Sequence, residues 1–249
     1  MKVLLANPTG MCFGVKRAIA KAEGLANQAD AYCLGMLVHN RQVLEYLTSL
    51  GLKILDEQTI VPGSSVVIRA HGTSPETIQS LEALGCQVVD ATCPFVKRLQ
   101  EIATHYVVAG YVVLLVGDSA HPEVMAVQAH ASGKIIIIDN YTQIPAIPME
   151  SRVVVLAQTT TPMEIWREVV DVLLKKGLFV EGIETICSAT SERRRSAYEL
   201  ASQVDIMIVV GGNNSANTKN LTTLCAGLGT PTFQIESSDE LQDDWFKGA

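Results

Sequence analysis

Three of the six cysteines recur in similar surroundings along the chain, and thiols in such positions could hold a metal centre. These cysteines are Cys12, Cys93 and Cys187. Each is followed, at nearly constant spacing, by a residue that opens a polar stretch, in turn His39, His121 and Ser215. Such self-similarity predicts three related units that each contribute one cysteine to a shared centre.

Thiolates are suitable ligands for zinc and for iron–sulfur clusters, and the sequence contains no CxxC pair of the zinc-ribbon kind. A four-iron cluster on three cysteines would leave one iron open to a substrate. From spacing alone, three unrelated structural cysteines remain an equal alternative, and a zinc protein is another. The remaining cysteines, Cys33, Cys86 and Cys225, are predicted to be buried and inert.

Short runs of Val, Ile and Leu alternate with helical patterns, which is typical of parallel sheets covered by helices. The predicted strands are Lys2–Leu5, Val66–Ile68, Gln87–Val89, Val112–Val116, Ile135–Ile138, Val153–Leu156 and Ile206–Val210. A helix is expected near Arg17–Gln28, and helix starts at Ser74–Pro75 and Thr161–Pro162. Most polar motifs follow a strand directly, where open α/β sheets bind ligands, so the sequence predicts one common site.

Composition excludes several classes of protein. Hydrophobic residues make up 48% of the chain and charged residues 18%, which excludes a disordered chain. The net charge of −7 argues against a nucleic-acid partner. The apolar runs are too short to span a membrane, and the N-terminus does not have the pattern of a signal peptide. We therefore expect a cytoplasmic protein whose cysteines serve metal or redox chemistry rather than disulfides.

Eight motifs extend the cysteine pattern into a specific resemblance. They are ANPTGMCFGVKRA, LVHNRQV, AHGTS, DATCPFV, SAHPEV, AQTTTP, ICSAT and NNSANT. In this order, from residue 3 to about residue 245, they resemble the 4-hydroxy-3-methylbut-2-enyl diphosphate reductase family. The resemblance implies an α/β trefoil of three αβα units with small parallel sheets around a central iron–sulfur site. The units would be 13–93, 94–187, and 188–249 together with an N-terminal strand in 1–12, the last being incomplete at its C-terminus.

The resemblance also implies a reaction. A [4Fe-4S] cluster on Cys12, Cys93 and Cys187, with one open iron, would serve the reductive dehydroxylation of 4-hydroxy-3-methylbut-2-enyl diphosphate. The products would be isopentenyl diphosphate and dimethylallyl diphosphate, in the last step of the methylerythritol phosphate pathway. Ferredoxin or flavodoxin would deliver the electrons.

Site residues follow from the matched motifs. Glu123 would be the acid that protonates the departing hydroxyl, directly or through Thr159, with Thr160 as the second candidate for the threonine. The substrate-binding residues would be His39, His71, His121, Thr159, Ser215 and Asn217. Of these, His39 and His71 would hold the diphosphate, because a charged histidine donates from both ring nitrogens.

The sequence departs from the family in two places. After Asp243–Phe246 the resemblance implies a further strand, a loop with a diphosphate-binding serine and a long helix, which the sequence lacks. Ala216 stands where relatives often have a second serine. Three alternatives therefore remain: an iron–sulfur hydro-lyase, an inactive truncated homologue, and a non-catalytic iron–sulfur carrier or sensor.

Overall fold

Runs of Val, Ile and Leu form short parallel strands in a computed structural model that describes residues 1–28, 30–55 and 61–247. The strands are β1 (Ala31–Leu34), β2 (Lys53–Leu55), β3 (Ser65–Ile68), β4 (Gln87–Asp90), β5 (Val112–Val116), β6 (Ile135–Ile138), β7 (Arg152–Ala157), β8 (Phe179–Gly182), β9 (Met207–Val210) and β10 (Thr232–Ile235). They form three separate sheets, in the orders β2-β1-β3-β4, β6-β5-β7-β8 and β10-β9. The α/β class with small parallel sheets is thereby confirmed.

Helices connect the strands and cover the sheets. They are α1 (Phe13–Ala26), α2 (Arg41–Ser49), α3 (Pro75–Ala83), α4 (Pro94–Val108), α5 (Pro122–His130), α6 (Met163–Lys175), α7 (Ser188–Ala201) and α8 (Ala216–Gly227). Proline opens α3, α4 and α5, where its missing N–H leaves no helical hydrogen bond unmade. The side chains of Asn40, Ser74 and Ser215 cap α2, α3 and α8.

The second sheet shows how the core is built. Successive side chains of a strand point to opposite faces, so Leu115 packs on the side of α4 and α5. Its neighbour Leu114 packs on the other side, against Val169 and Leu173 of α6. Both faces of the sheet are therefore buried, which explains the continuous apolar run in β5.

The register brings the carboxyl ends of the strands to one edge of each sheet. In the first sheet Leu34 is aligned with Ile68, which is aligned with Asp90, and in the second Val116 is aligned with Ala157. The polar motifs begin just beyond these residues. Functional side chains from different loops are thus collected at shared edges.

Two local predictions differ from the structure, one strand in its existence and one helix only in its bounds. Lys2–Leu5 is not a strand, and Val3 and Leu5 are 74% and 80% exposed. An apolar run becomes a strand only when another strand pairs with it, and within the described ranges β9 pairs with β10 alone. The first helix begins at Phe13 and ends at Ala26, earlier at both ends than the predicted Arg17–Gln28.

The last described segment is short and irregular. Asp243–Phe246 is a 3₁₀ helix, and its Trp245 ring stacks on Phe233 with 4.1 Å between the ring centroids.

Among the helices in the described part of the chain, none has the length and apolar character needed to cross a membrane.

Candidate functional site

The three recurring cysteines occupy the same structural position in three helices. Cys12, Cys93 and Cys187 are the N-cap residues of α1, α4 and α7, each with an extended backbone. Burial raises the pKa of the Cys93 thiol, and repulsion from the thiols of Cys187 and Cys12 raises it further. Burial also raises the pKa of the Cys187 thiol, and Cys12 adds to this effect. The structure therefore brings together the three cysteines that the sequence singled out.

Gly14 leaves space beside two of these thiols. A Cβ on Gly14 would lie 2.6 Å from Sγ of Cys93 and 3.9 Å from Sγ of Cys12. Because any larger residue would displace the Cys93 sulfur, this glycine keeps open the region where the thiols meet. Three thiols around a cradle without side chains fit an iron–sulfur cluster with three protein ligands.

Helix N-termini favour the thiolate form that a metal needs. The backbone N–H groups of Phe95 and Val96, in the first turn of α4, lower the pKa of the Cys93 thiol and so oppose the effect of burial. Backbone groups of Ala189 and Thr190 do the same for Cys187. Without a cation, burial prevails and these pKa values are raised, so the arrangement is suited to thiolates that a metal centre neutralises.

Three histidines from three loops form a second cluster. The ring centroids of His39 and His71 are 4.6 Å apart. The ring centroid of His121 lies 5.5 Å from that of His39 and 5.2 Å from that of His71. Among the described residues, no hydrogen-bond partner contacts either ring nitrogen of His39 or Nδ1 of His71, although these atoms are buried. Buried polar atoms without partners indicate a ligand that would satisfy them.

The charge around these rings favours an anion. Burial lowers the pKa of His39, and Arg69 and Lys219 add to this effect through their positive charge. The pKa of His71 lies well below 6.5, because of burial and then because of its two histidine neighbours and Arg69. Two cations beside neutral, unsatisfied imidazoles create a site that gains protons and hydrogen bonds when an anion enters.

His121 distinguishes an anion site from a metal site. The ligand atoms of the three histidines all lie within 4.8 Å of one another, which would suit a metal ion. However, Nδ1 of His121 accepts the backbone N–H of Glu123 at 3.1 Å, so the neutral ring carries its proton on Nε2. Burial lowers the pKa of His121 to about 4. His121 is therefore a neutral donor, and this favours oxygen acceptors over a metal ion.

Glu123 and Thr159 form a buried acid pair. The backbone N–H of Thr159 donates to Oε1 of Glu123 at 2.7 Å, and its hydroxyl Oγ1 lies 2.8 Å from Oε2. Glu123 is 2% exposed, and burial raises the pKa of its carboxyl although both hydrogen bonds lower it. A carboxyl of raised pKa, linked to a single hydroxyl, can release a proton by way of that hydroxyl.

Ser215 and Asn217 open α8 on the third side. The Ser215 oxygen accepts the N–H of Thr218 at 3.3 Å, which leaves its hydroxyl hydrogen available to a ligand. Oδ1 of Asn217 lies 3.3 Å from the Thr190 hydroxyl, whose hydrogen it shares with the Thr159 carbonyl, so the amide NH₂ is directed elsewhere as a donor. A helix N-terminus with two such side chains is suited to an anion.

The sequence did not predict two cations that lie near the histidine cluster, Arg69 and Lys219. Arg69 directly follows β3, two residues before His71, and its Nε donates to the Gly72 carbonyl at 3.3 Å. Lys219 lies in α8, close enough to influence His39. The signal that could have found Arg69 is a charged residue directly after a buried strand, within a motif already singled out. Lys219 has no comparable signal.

Comparison with known proteins identifies relatives over the whole chain. The family described as LytB protein matches residues 3–249. A 4-hydroxy-3-methylbut-2-enyl diphosphate reductase of Geotalea uraniireducens is 41% identical over 249 residues, which is 100% of this chain and 88% of the relative. The protein of the same name from Geobacter metallireducens is 39% identical with the same coverage.

Solved structures agree with the sequence relatives. A structure of (E)-4-hydroxy-3-methyl-but-2-enyl diphosphate reductase, described as the terminal enzyme of the non-mevalonate pathway, is 38% identical, with a TM-score of 0.73. The alignment covers 99% of this chain and 89% of that one. The E-1-hydroxy-2-methyl-but-2-enyl-4-diphosphate reductase from Plasmodium falciparum is 26% identical, with a TM-score of 0.92, over 97% of this chain and 78% of that one.

Proposed function

Because this chain belongs to the LytB protein family, we propose that Cys12, Cys93 and Cys187 hold a [4Fe-4S] cluster at its active site. The chain is a 4-hydroxy-3-methylbut-2-enyl diphosphate reductase, which acts in the terminal step of the non-mevalonate pathway. It removes the hydroxyl of its substrate reductively and yields isopentenyl and dimethylallyl diphosphate. The observation that supports the assigned residues is the meeting of three thiols, three histidines and one buried acid in neighbouring loops.

The cofactor and the protein have separate tasks in this proposal. When bound, the cluster supplies electrons and has one iron without a protein ligand. The protein positions the substrate, neutralises the diphosphate and delivers protons. The threefold division into 13–93, 94–187 and 188–249 with 1–12 belongs to the proposal, since each unit would give one of the three cysteines.

The histidine cluster would bind the diphosphate. His39 and His71 would take up protons as the anion enters and would donate to its oxygens, which satisfies their buried nitrogens. His121 would donate from Nε2 while remaining neutral. Ser215 and Asn217 would donate from the start of α8, and the charges of Arg69 and Lys219 would attract the ligand.

The Glu123–Thr159 pair would protonate the leaving group. The substrate hydroxyl departs as water, which requires one proton at its oxygen, and a second proton must reach the allylic carbon that the two electrons reduce. Thr159 would give its hydroxyl proton to that oxygen and would receive the proton of Glu123 across the 2.8 Å contact. The burial of Glu123 supports this role, because it keeps the carboxyl protonated to a higher pH than in water.

The electron source and cellular location remain part of the proposal. A ferredoxin or flavodoxin would supply two electrons in single steps, since a cluster transfers electrons one at a time. The six cysteines are free thiols, which suits the reducing cytoplasm.

An anaerobic assay tests this function. The purified protein is mixed with the hydroxylated allylic diphosphate, with and without a one-electron reductant, and both products are quantified. We expect product only with the reductant. Turnover without reductant would instead indicate a hydro-lyase, and no turnover with reductant in iron-loaded protein would contradict the proposed activity.

A further inference from the structure

The loop that carries Thr159 is held from two sides. On one side, the Thr159 N–H and hydroxyl donate to Glu123. On the other side, the Thr159 carbonyl accepts the N–H of Cys187 at 3.0 Å and the Thr190 hydroxyl at 3.2 Å. Thr159 is also the second residue of a tight turn, in which the Thr161 N–H donates to the Gln158 carbonyl at 2.9 Å, so the position of its two donors depends as well on what holds that turn.

Asn220 holds this turn from α8. Its side-chain Nδ2 donates to the Thr160 carbonyl at 2.8 Å, across 60 residues of sequence. Asn220 follows Asn217 by three residues, so both lie on the same face of α8. Ser215 caps the start of that helix, and the diphosphate-binding end and the loop anchor are thus parts of one rigid element.

We propose that Asn220 is a positioning residue for proton delivery, which anchors the Thr160 carbonyl so that both donors of Thr159 stay aligned with the Glu123 carboxylate. This inference rests on the proposed function of the Glu123–Thr159 pair. It adds that α8 joins the diphosphate site to the acid. Asn220 itself would touch neither the substrate nor the cluster.

The geometry explains why this anchor matters more than an ordinary loop contact. Thr159 meets both carboxylate oxygens of Glu123, so a shift of the Gln158–Thr161 turn weakens two hydrogen bonds together. Thr161 is fixed separately, since its hydroxyl donates to the Val116 carbonyl at 3.0 Å. Removing the amide of Asn220 therefore leaves the Thr160 carbonyl, next to Thr159 in the turn, without its anchor, while the Thr161 side chain stays attached to β5.

Two variants of α8 test the proposal in iron-loaded enzyme. Asn220→Ala removes the donor, and Thr223→Ala removes an exposed side chain from the same helix as the matched control. We expect Asn220→Ala to lower the single-turnover rate about 10-fold, which corresponds to one lost hydrogen bond. KM and the affinity for inorganic diphosphate should remain within twofold of wild type, as should all three quantities in Thr223→Ala.

A double-variant cycle with Glu123→Gln separates positioning from general damage. If Asn220 acts through the acid, adding Asn220→Ala to Glu123→Gln should cause no further fall in rate. Hydrogen exchange gives a readout independent of activity. The amide of Thr159 should exchange faster in Asn220→Ala than in wild type, and its exchange rate should be unchanged in Thr223→Ala.

The outcomes are distinguishable from a failure of the proposed function. If wild type turns over and Glu123→Gln does not, the function stands. An unchanged rate in Asn220→Ala, or an equal fall in the Glu123→Gln background, then overturns the role of Asn220 alone. Should Asn220→Ala fail to fold, Asn220→Ser is measured by the same criteria, since its shorter side chain would not reach the Thr160 carbonyl.

Discussion

Replacing Glu123 with glutamine separates catalysis from stability. Glutamine has nearly the same shape, its oxygen can accept the N–H of Thr159, and its NH₂ can donate to the Thr159 hydroxyl. Both contacts survive, and only the transferable proton is lost. Loss of a general acid lowers turnover by about 10²–10⁴-fold, so Glu123→Gln should fall in that range while iron content and diphosphate affinity remain unchanged.

The same change should make the fold more stable at neutral pH. Burial raises the pKa of Glu123 in the folded protein, so the unfolded chain ionises first as the pH increases. Ionisation therefore destabilises the fold progressively above the unfolded pKa of about 4.3, up to the raised folded pKa. Glutamine does not ionise, and the variant avoids this loss.

Two measurements on one variant therefore test the reasoning about Glu123. Single-turnover kinetics with pre-reduced enzyme give the rate, and thermal unfolding at pH 5 and pH 8 gives the stability. We expect the melting temperature of Glu123→Gln to exceed that of wild type more at pH 8 than at pH 5. A rate near that of wild type would refute the acid role. A lower melting temperature at pH 8 would refute the account of burial.

Two further predictions concern the thiols and the histidines. Gly14→Ala places a Cβ against the Cys93 sulfur, so this variant should lose most of its bound iron. The control is Gly24→Ala in the same helix, where no atom lies within 4 Å of the added Cβ. It should retain iron and gain about 0.5–1 kcal/mol of stability. Iron analysis and melting curves check this, and equal iron in both variants would contradict it. Diphosphate binding should take up protons at pH 7, because the pKa values of free His39 and His71 lie below 6.5 and the anion raises them. The affinity for diphosphate should therefore fall as the pH rises from the lowered pKa values of the free histidines through the higher pKa values of the bound ones. Calorimetry in two buffers of different ionisation enthalpy measures the uptake, with His71→Gln as the control that takes up fewer protons, and equal uptake in both proteins would contradict the assignment.

The meeting of the cysteines could be predicted because it depends on repetition and on strand order. Cys12, Cys93 and Cys187 each precede a helix in a similar sequence context, and repetition of such a unit predicts that equivalent residues meet at a shared centre. The pairing of Glu123 with Thr159 likewise joins the loops after neighbouring strands β5 and β7. Local pattern and topology were sufficient for these contacts.

Other features depend on tertiary distances that no local pattern encodes. Arg69 and Lys219 are ordinary charged residues until the fold brings them near His39. Gly14 looks like any helical glycine, and its importance arises only from the Cys93 sulfur beside it. The wrong strand at Lys2–Leu5 has the same origin, since strand formation depends on a partner rather than on the run itself.

Iron and acid-labile sulfide analysis of single cysteine variants, isolated without oxygen, tests the central claim most directly. Wild type should contain about four iron and four sulfide per chain. Three variants should lose the cluster, namely Cys12→Ser, Cys93→Ser and Cys187→Ser. Three controls should keep it, namely Cys33→Ser, Cys86→Ser and Cys225→Ser, whose thiols are buried elsewhere. Full iron in any of the first three, or its loss in a folded control, would contradict a cluster held by these thiols.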